Sequence, residues 1–464
     1  MPDLHLVILA AGKGTRMKSS RPKVLHELAG RSLIAHVLST AAPLEASSTV
    51  IVVGHGADEV RAALADRPGL DFVVQSPQLG TGHALLQAEP LLDGRSGTVL
   101  LLYGDVPLLQ THTLIRLLER HAESKAAATI LTAELANPDG YGRIVREPGG
   151  RVSRIVEERD ASAAEREIRE VNSGIYTLDL APLFGALKGL ATDNAQGEYY
   201  LTDLVALYHR RGLGVETLCL ENAAELRGVN SRIDLAELSS TLLDRKRRSV
   251  MLDGVTLEDP STTYIEPDVI IGPDTVIGPG VSLTGRTSIG ARCMLRAGVR
   301  LTNATLADEV TVLDHCVVTD STIGAHASIG PFTHLRPGCV VAEHAHLGNF
   351  VELKKTRFGS GSKAGHLAYL GDAIIGADVN IGAGVITVNY DGVNKHQTVI
   401  EDGAFVGSDS QLMAPITVGQ GAYVAAGSSV TDNVPPDALA VARSRQTTKP
   451  GWAAARRAAR RKQG

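Results

Sequence analysis

Seven aliphatic residues, Ile265, Ile271, Ile277, Leu283, Ile289, Leu295 and Leu301, stand six apart in an unbroken series. A helix face recurs every three or four residues and a strand face every two, so neither element alone accounts for this period. The register slips and resumes at Ile323, Ile329, Leu335, Val341, Leu347 and Leu353, and again at Val406, Leu412, Val418, Val424 and Val430. Glycine follows many of these positions, as at Gly272, Gly278, Gly290, Gly324, Gly330, Gly348 and Gly419. An inward aliphatic followed by a small residue is the hexapeptide signature of a parallel β-helix, here expected to be left-handed. One coil cannot bury its own face, so the coils must stack. The 4% aromatic content and 48 glycines suit tightly turning coils better than a broad aromatic core.

The first half has a different rhythm. "LHLVILAAG", "TVIVVGHG", "LDFVVQS" and "GTVLLLYGDVPLL" are continuous apolar runs ended by Gly, Asp or Pro, as expected of strands buried on both faces of a parallel sheet. Amphipathic stretches such as "SLIAHVLSTAAPL" and "ADEVRAALADR" lie between them. The fold class expected is α/β: a Rossmann-like, mostly parallel sheet over residues 1–232, a linking helix over 233–253 with its charges on a solvated face, and the β-helix with a basic tail over 254–464. Ligands of such a sheet collect at the carboxyl ends of its strands.

The net charge of −5 over 464 residues offers no global field for nucleic acid. Cys219, Cys293, Cys316 and Cys339 form no CxxC pair and read as reduced packing residues. The apolar run at the N-terminus is too short to span a bilayer and lacks the pattern of a secretory signal, so a cytoplasmic protein is expected.

"LAAGKGTRMKSSRPK" follows the first strand. Gly12 and Gly14 let backbone N–H groups approach an anion, and Lys13, Arg16 and Lys23 add charge. The spacing is not that of a Walker A loop, and Met17 stands where a dinucleotide fingerprint needs its third glycine. Alone, the stretch fits an ordinary basic turn as well as a phosphate cradle. Two further segments favour the cradle. "QSPQLGTGHA" places a Gly-Thr-Gly turn beside two amides suited to a base or sugar edge. Asp105 ends a buried strand, where its carboxylate could hold Mg²⁺ on phosphates or simply close a turn.

Taken in order, "LAAGKGTRM", "PKVLHELAG", "QLGTGHA", "YGDVPL", "NPDGYGRIVR", "IVEERDA", "VNSGIY" and "GVNSR" resemble the sugar-nucleotide pyrophosphorylases. With the hexapeptide half, nearly the whole chain resembles the bifunctional N-acetylglucosamine-1-phosphate uridylyltransferase / glucosamine-1-phosphate N-acetyltransferase family. The resemblance implies that Leu9, Ala10, Ala11 and Gly12 contact the nucleotide and that Lys23 contacts the phosphates. Gln75, Gly80, Thr81, Gly82, Tyr103 and Gly104 would hold uracil and sugar, while Gly140, Glu157 and Asn172 would read N-acetylglucosamine. Asp105 and Asn230 would carry Mg²⁺; Asn230 could instead cap the linking helix. The sugar phosphate is already an anionic nucleophile, so Arg16, Lys23 and the metal would act by offsetting phosphate repulsion. The charged insert between Glu157 and Asn172, "EERDASAAEREIREVNSG", departs from the family pattern and reads as a solvated helix.

Within the coils, "VELKKTRFGSGSKAGHLAYLGD" and "IGAGVITVNYDGVNKHQT" interrupt the repeat with groups the scaffold does not need, and such breaks are where function is expected. By the resemblance, His366 is the general base for amine attack on acetyl-CoA. Arg336 and Lys354 would hold the sugar phosphate, Tyr369 and Asn380 the sugar, and Asn389 and Tyr390 would lie near the reacting carbonyl. Ala383, Ser408, Ala426 and Arg443 would line the acetyl-CoA site, although they fit ordinary coil corners equally well. Cys339 reads as a coil position and not an acyl carrier. The tail "KPGWAAARRAARRKQG" could touch cofactor phosphates or be a solvated terminus.

The resemblance further implies a homotrimer with acyl-CoA sites between chains, acting on glucosamine 1-phosphate, N-acetylglucosamine 1-phosphate, acetyl-CoA and UTP. Neither nucleic acid nor membrane is an expected partner, and the product would feed peptidoglycan and lipopolysaccharide precursors. Two other readings compete. One is a sugar-1-phosphate nucleotidyltransferase whose β-helix only oligomerises, against which His366 and "NYDG" argue. The other is a non-enzymatic scaffold with a nucleotide sensor, against which Lys23, Asp105 and Asn230 together argue.

Overall fold

The computed structural model describes residues 3–461. The chain divides into two compact units, with the boundary between Leu242 and Leu243.

The first unit is built on β1 (Leu4–Ala10), β2 (Ser48–Val53), β3 (Leu70–Val74), β4 (Thr98–Tyr103), β5 (Ala128–Glu134), β6 (Arg143–Arg146), β7 (Val152–Val156), β8 (Glu170–Asp179) and β9 (Val215–Leu220). Their order is β9-β5-β8-β4-β1-β2-β3, and only β8 runs antiparallel to its neighbours on this path. The β6–β7 hairpin joins through β8. Residues 5–10 of β1 are all buried, which is why its sequence is an apolar run without alternation. The two faces still separate with period two. Val7 and Leu9 pack with Leu85, Leu101 and Leu183, whereas Leu6, Ile8 and Ala10 pack with Ile34, Val37 and Leu114. The carboxyl ends of β1, β3 and β4 deliver the loops beginning at Ala11, Gln75 and Gly104 to one rim.

A 21-residue helix, Arg232–Leu252, follows. Ser231 Oγ accepts from the Asp234 backbone N–H at 3.2 Å, and Asp234 Oδ2 accepts from the N–H groups of Asn230 and Ser231 at 3.0 and 2.8 Å. Ser231 and Asp234 therefore cap the helix reciprocally. Asn230 is not the cap, and its amide is left to face elsewhere.

The second unit stacks three parallel sheets of eleven, ten and nine strands, each strand two to four residues long. Ile265, Ile277, Leu283, Ile289, Leu295 and Leu301 are buried, and Ile271 is partly so. The slips in the period have a simple cause: coils differ in length. Val276 pairs with Met294, eighteen residues on, but Met294 pairs with Thr311, seventeen on. Each seventeen-residue coil shortens one six-residue step to five, so Leu306 follows Leu301 in the same core. The long exception is the coil in which Ile381 pairs with Val406, which expels residues 389–397 as a loop. Glycine after the aliphatic is demanded by close stacking. At Gly348 an added Cβ would lie 1.9 Å from the Gly365 carbonyl oxygen of the next coil.

Three expectations need correction or refinement. Cys293, Cys316 and Cys339 are buried, but Cys219 is exposed, because β9 is an edge strand with one face uncovered. The charged insert forms only a single helical turn, Ala163–Arg166, closed by a Ser162–Glu165 capping box. The tail is helical over Trp452–Arg461 and exposed along that whole length. Among the described residues no helix is long and apolar enough to cross a membrane.

Leu335 is fully buried between coils. Leu335→Ala should lower the stability of this unit by about 2–5 kcal/mol, read as a shift in the denaturant midpoint at unchanged slope. An unchanged midpoint would mean that the file of aliphatics is not the core.

Two candidate active sites

At the carboxyl rim of the first sheet lies a cavity of about 350 Å³. Of the residues expected there, it gathers Leu9, Ala10, Ala11, Gly12, Arg16, Lys23, Gln75, Gly80, Thr81, Tyr103, Asp105 and Asn230. Gly14 lies in the left-handed region, and a Cβ there would stand 2.6 Å from Lys23 Cβ. The missing side chain is what lets the lysine run beneath the loop. Lys23 Nζ donates to Asn230 Oδ1 at 2.8 Å and pairs closely with Asp105 Oδ2, and Arg16 Nη2 donates to the same Asn230 oxygen at 2.9 Å. A carboxylate oxygen and an amide oxygen thus converge on one point of positive charge. Hard oxygen donors so placed fit a divalent cation that takes its remaining ligands from water and phosphate.

Gly82 and Gly104 lie just behind the cavity. Their backbone N–H groups donate to the Tyr199 and Leu9 carbonyls at 2.8 and 3.0 Å, which ties neighbouring loops together. Gly140, Glu157 and Asn172 are not on the cavity wall, and Glu157 and Asn172 form an adjoining cluster. Gly142 joins the last two, since a Cβ there would be 3.5 Å from Glu157 Oε2 and 3.6 Å from Asn172 Cβ. Asn172 Oδ1 accepts from the Gly174 N–H at 3.0 Å and from Tyr176 Oη at 2.9 Å, which leaves its Nδ2 free to donate. Tyr103 links cavity and cluster. Burial, followed by the charges of Asp105 and Glu157, raises its phenol pKa, so it stays a neutral donor. Glu157 accepts from Thr202 Oγ1 at 3.1 Å, and burial raises its carboxyl above the ordinary glutamate value.

Gln78, the second of the two amides in "QSPQLGTGHA", also lies on the cavity wall, as does Glu198, which sequence reasoning did not single out. Glu198 had no signal, since its segment reaches the wall by docking, with the Tyr199 N–H donating to the Leu79 carbonyl at 2.9 Å.

In the second unit His366 ends the strand Lys363–His366 and is exposed. Its Nδ1 lies 2.5 Å from Asn349 Oδ1, on the neighbouring coil. With that oxygen accepting, Nδ1 carries the proton and Nε2 keeps its lone pair. Lys354 Nζ is 3.8 Å from Asp372 Oδ2, to which Asn389 Nδ2 donates at 2.5 Å. Both Tyr369 Oη and Asn389 Nδ2 lie against Gly371, at 2.5 and 2.8 Å from the position a Cβ would take. Arg336 pairs with Glu352 at 3.1 Å, in register with Tyr369. Asn380 is exposed beside Lys363, and Tyr390 Oη donates to the Gly392 carbonyl at 2.6 Å within its own loop, so neither joins this group. Ala383, Ser408, Ala426 and Arg443 occupy one corner of successive coils. Backbone hydrogen bonds of 2.7 and 2.8 Å run from Asp409 to Ala383 and from Gly427 to Ser408, and a Cβ added at Gly427 would lie 3.9 Å from Arg443 Cδ.

The expelled loop supplies Lys395, which the sequence reading passed over. A hydrogen bond from Lys354 and the charge it carries lower the Lys395 pKa. The loop is self-supporting. Asp391 accepts from the N–H groups of Val393 and Asn394 at 2.8 and 2.6 Å and pairs with His396 at 2.7 Å, which holds its carboxyl down to about 2. Cys339 is buried, and burial raises its thiol, the opposite of an acyl carrier's requirement.

The family profile described as MobA-like NTP transferase domain matches residues 6–171. Profiles described as GMPPB C-terminal domain and as hexapeptide repeat of succinyl-transferase match residues 258–358 and 397–432. The Bifunctional protein GlmU of Trichlorobacter lovleyi is 51% identical over 446 residues, covering 96% of this chain and 97% of that protein. The proteins of the same name from Syntrophotalea carbinolica and Brevibacillus brevis are 52% identical over 450 residues and 49% over 453, each covering 97% or more of both chains.

Because burial raises Glu157, the folded state binds more protons there than the unfolded chain. Its contribution to stability therefore falls as pH climbs from the ordinary glutamate value through the raised one. Glu157→Gln should gain stability relative to wild type at neutral pH, with the difference closing at acid pH, as read from melting curves across that window. A constant difference would contradict the assignment.

Proposed function

The chain belongs to the bifunctional GlmU family, and on that premise we propose how its residues divide two transfers between two separate sites. The protein is both a nucleotidyltransferase and an acetyltransferase. It makes UDP-N-acetylglucosamine by acetylating glucosamine 1-phosphate and then transferring uridylyl from UTP, with release of pyrophosphate.

At the first site an oxygen of N-acetylglucosamine 1-phosphate attacks the α-phosphorus of UTP as the bond to pyrophosphate breaks. No base is needed, because the attacking oxygen is already ionised. Lys23 and Arg16 neutralise the approaching phosphates, the N–H groups around Gly12 and Gly14 face their oxygens, and Gln75, Gly80 and Thr81 hold the base. Asp105 and Asn230 would hold Mg²⁺, which supplies charge neutralisation on the phosphates. The convergence of Asp105, Asn230 and Lys23 carries this reading. Glu157 and Asn172 present an acceptor and a free amide donor to the sugar.

At the second site the glucosamine amine attacks the thioester carbonyl of acetyl-CoA. His366 Nε2 takes the amine proton as the carbon–nitrogen bond forms, and returns it to sulfur as the carbon–sulfur bond breaks and coenzyme A leaves as the thiol. Asn349 holds the required tautomer. Lys354, Lys395 and Arg336 surround the sugar phosphate, and the corner of Ala383, Ser408 and Ala426 leaves room for the pantetheine. The working form is a homotrimer in the cytoplasm. Hexapeptide repeats favour such assembly, and the exposed stack of Phe332 and Phe350 beside the His366 coil gives a second copy an apolar edge to cover.

His366→Ala should lower acetyl-CoA consumption by about 10²–10⁴-fold while UTP-dependent pyrophosphate release persists. Asp105→Asn should do the reverse. Loss of both activities in either variant would contradict two independent sites.

A further inference from the structure

Arg143, the first residue of β6, has a side chain with no exposed surface, and a guanidinium is costly to bury without partners. Its two terminal nitrogens reach two different segments. Nη1 donates to the Tyr141 carbonyl, which lies between Gly140 and Gly142. Nη2 stands 2.7 Å from Glu158 Oε2, an ion pair not aligned as a hydrogen bond, and Glu158 is covalently next to Glu157. The Arg143 backbone lies in register with Val171, beside Asn172, and the Asn172 N–H donates to the Gly142 carbonyl at 2.8 Å. Two of the segments assigned to the sugar therefore meet on this one buried cation, and the third pairs with its backbone.

We propose that Arg143 is a positioning residue for the sugar pocket: it fixes the Gly140–Gly142 turn and the Glu157–Glu158 turn relative to each other without touching substrate. This rests on the assignment of Gly140, Glu157 and Asn172 to the sugar. A planar fork is required, because a lysine ammonium is a single point and cannot span both partners with the same geometry. Glu158 is accessible enough for the pair to be broken from its outer side, its side chain being 31% exposed.

The test is steady-state uridylyl transfer by the full chain carrying Arg143→Lys or Glu158→Gln. Each should raise KM for N-acetylglucosamine 1-phosphate about tenfold or more, with KM for UTP within about twofold and acetyl transfer unchanged. Glu158→Gln, at a partly exposed side chain, is the second variant, and melting curves of both variants report whether each is folded. Equal rises in both KM values, or a lower melting temperature with unaltered KM, would overturn the positioning role. If instead Glu157→Gln leaves the sugar KM unchanged, the pocket assignment itself fails, and with it this inference.

Discussion

Parallel strand pairing sealed on its inner side by aliphatic side chains is the constraint on which both units depend. In the first unit it buries β1 on both faces, so that strand reaches the cavity only at its carboxyl end, from Leu9 onward. In the second it stacks short strands into three sheets, whose side chains alternate between core and corner. Either way the ladder consumes the backbone hydrogen bonds and the apolar residues, and function is confined to rims and interruptions.

The two sites use this constraint differently. The proposed nucleotide site is assembled from strand ends far apart in sequence: Lys23, Asp105 and Asn230 meet because β1 and β4 are neighbours and because the capped helix start holds Asn230 in place. The proposed acetyl site is assembled from successive coils. His366 meets Asn349, and Tyr369 lies in register with Glu352, because each pair is seventeen residues apart, on the ladders of two neighbouring sheets. In the proposed mechanism, charge neutralisation drives the first transfer and proton removal by His366 the second.

Much of this was legible from residues alone. The six-residue period identified the coils, and the five-residue steps that looked like slips are part of the same core, as Leu301 and Leu306 show. The rim loops could be read because glycines and charges cluster after apolar runs. What escaped was whatever depends on docking. Glu198 reaches the cavity only because its segment pairs with Leu79, and Lys395 reaches Lys354 only because an expelled loop folds back on itself. Cys219 looked like a packing residue because a lone cysteine does not reveal that its strand is an edge. Asn349 carried no mark in the chain that it would face His366 across one coil.

Acetylation and uridylylation are proposed to occur in that order at separate sites of one chain. The most direct measurement is a time course of all sugar species when the full-length protein receives glucosamine 1-phosphate, acetyl-CoA and UTP together. N-acetylglucosamine 1-phosphate should rise first and UDP-N-acetylglucosamine should follow, with negligible nucleotide sugar when acetyl-CoA is left out. Formation of UDP-glucosamine at a comparable rate without acetyl-CoA would contradict it.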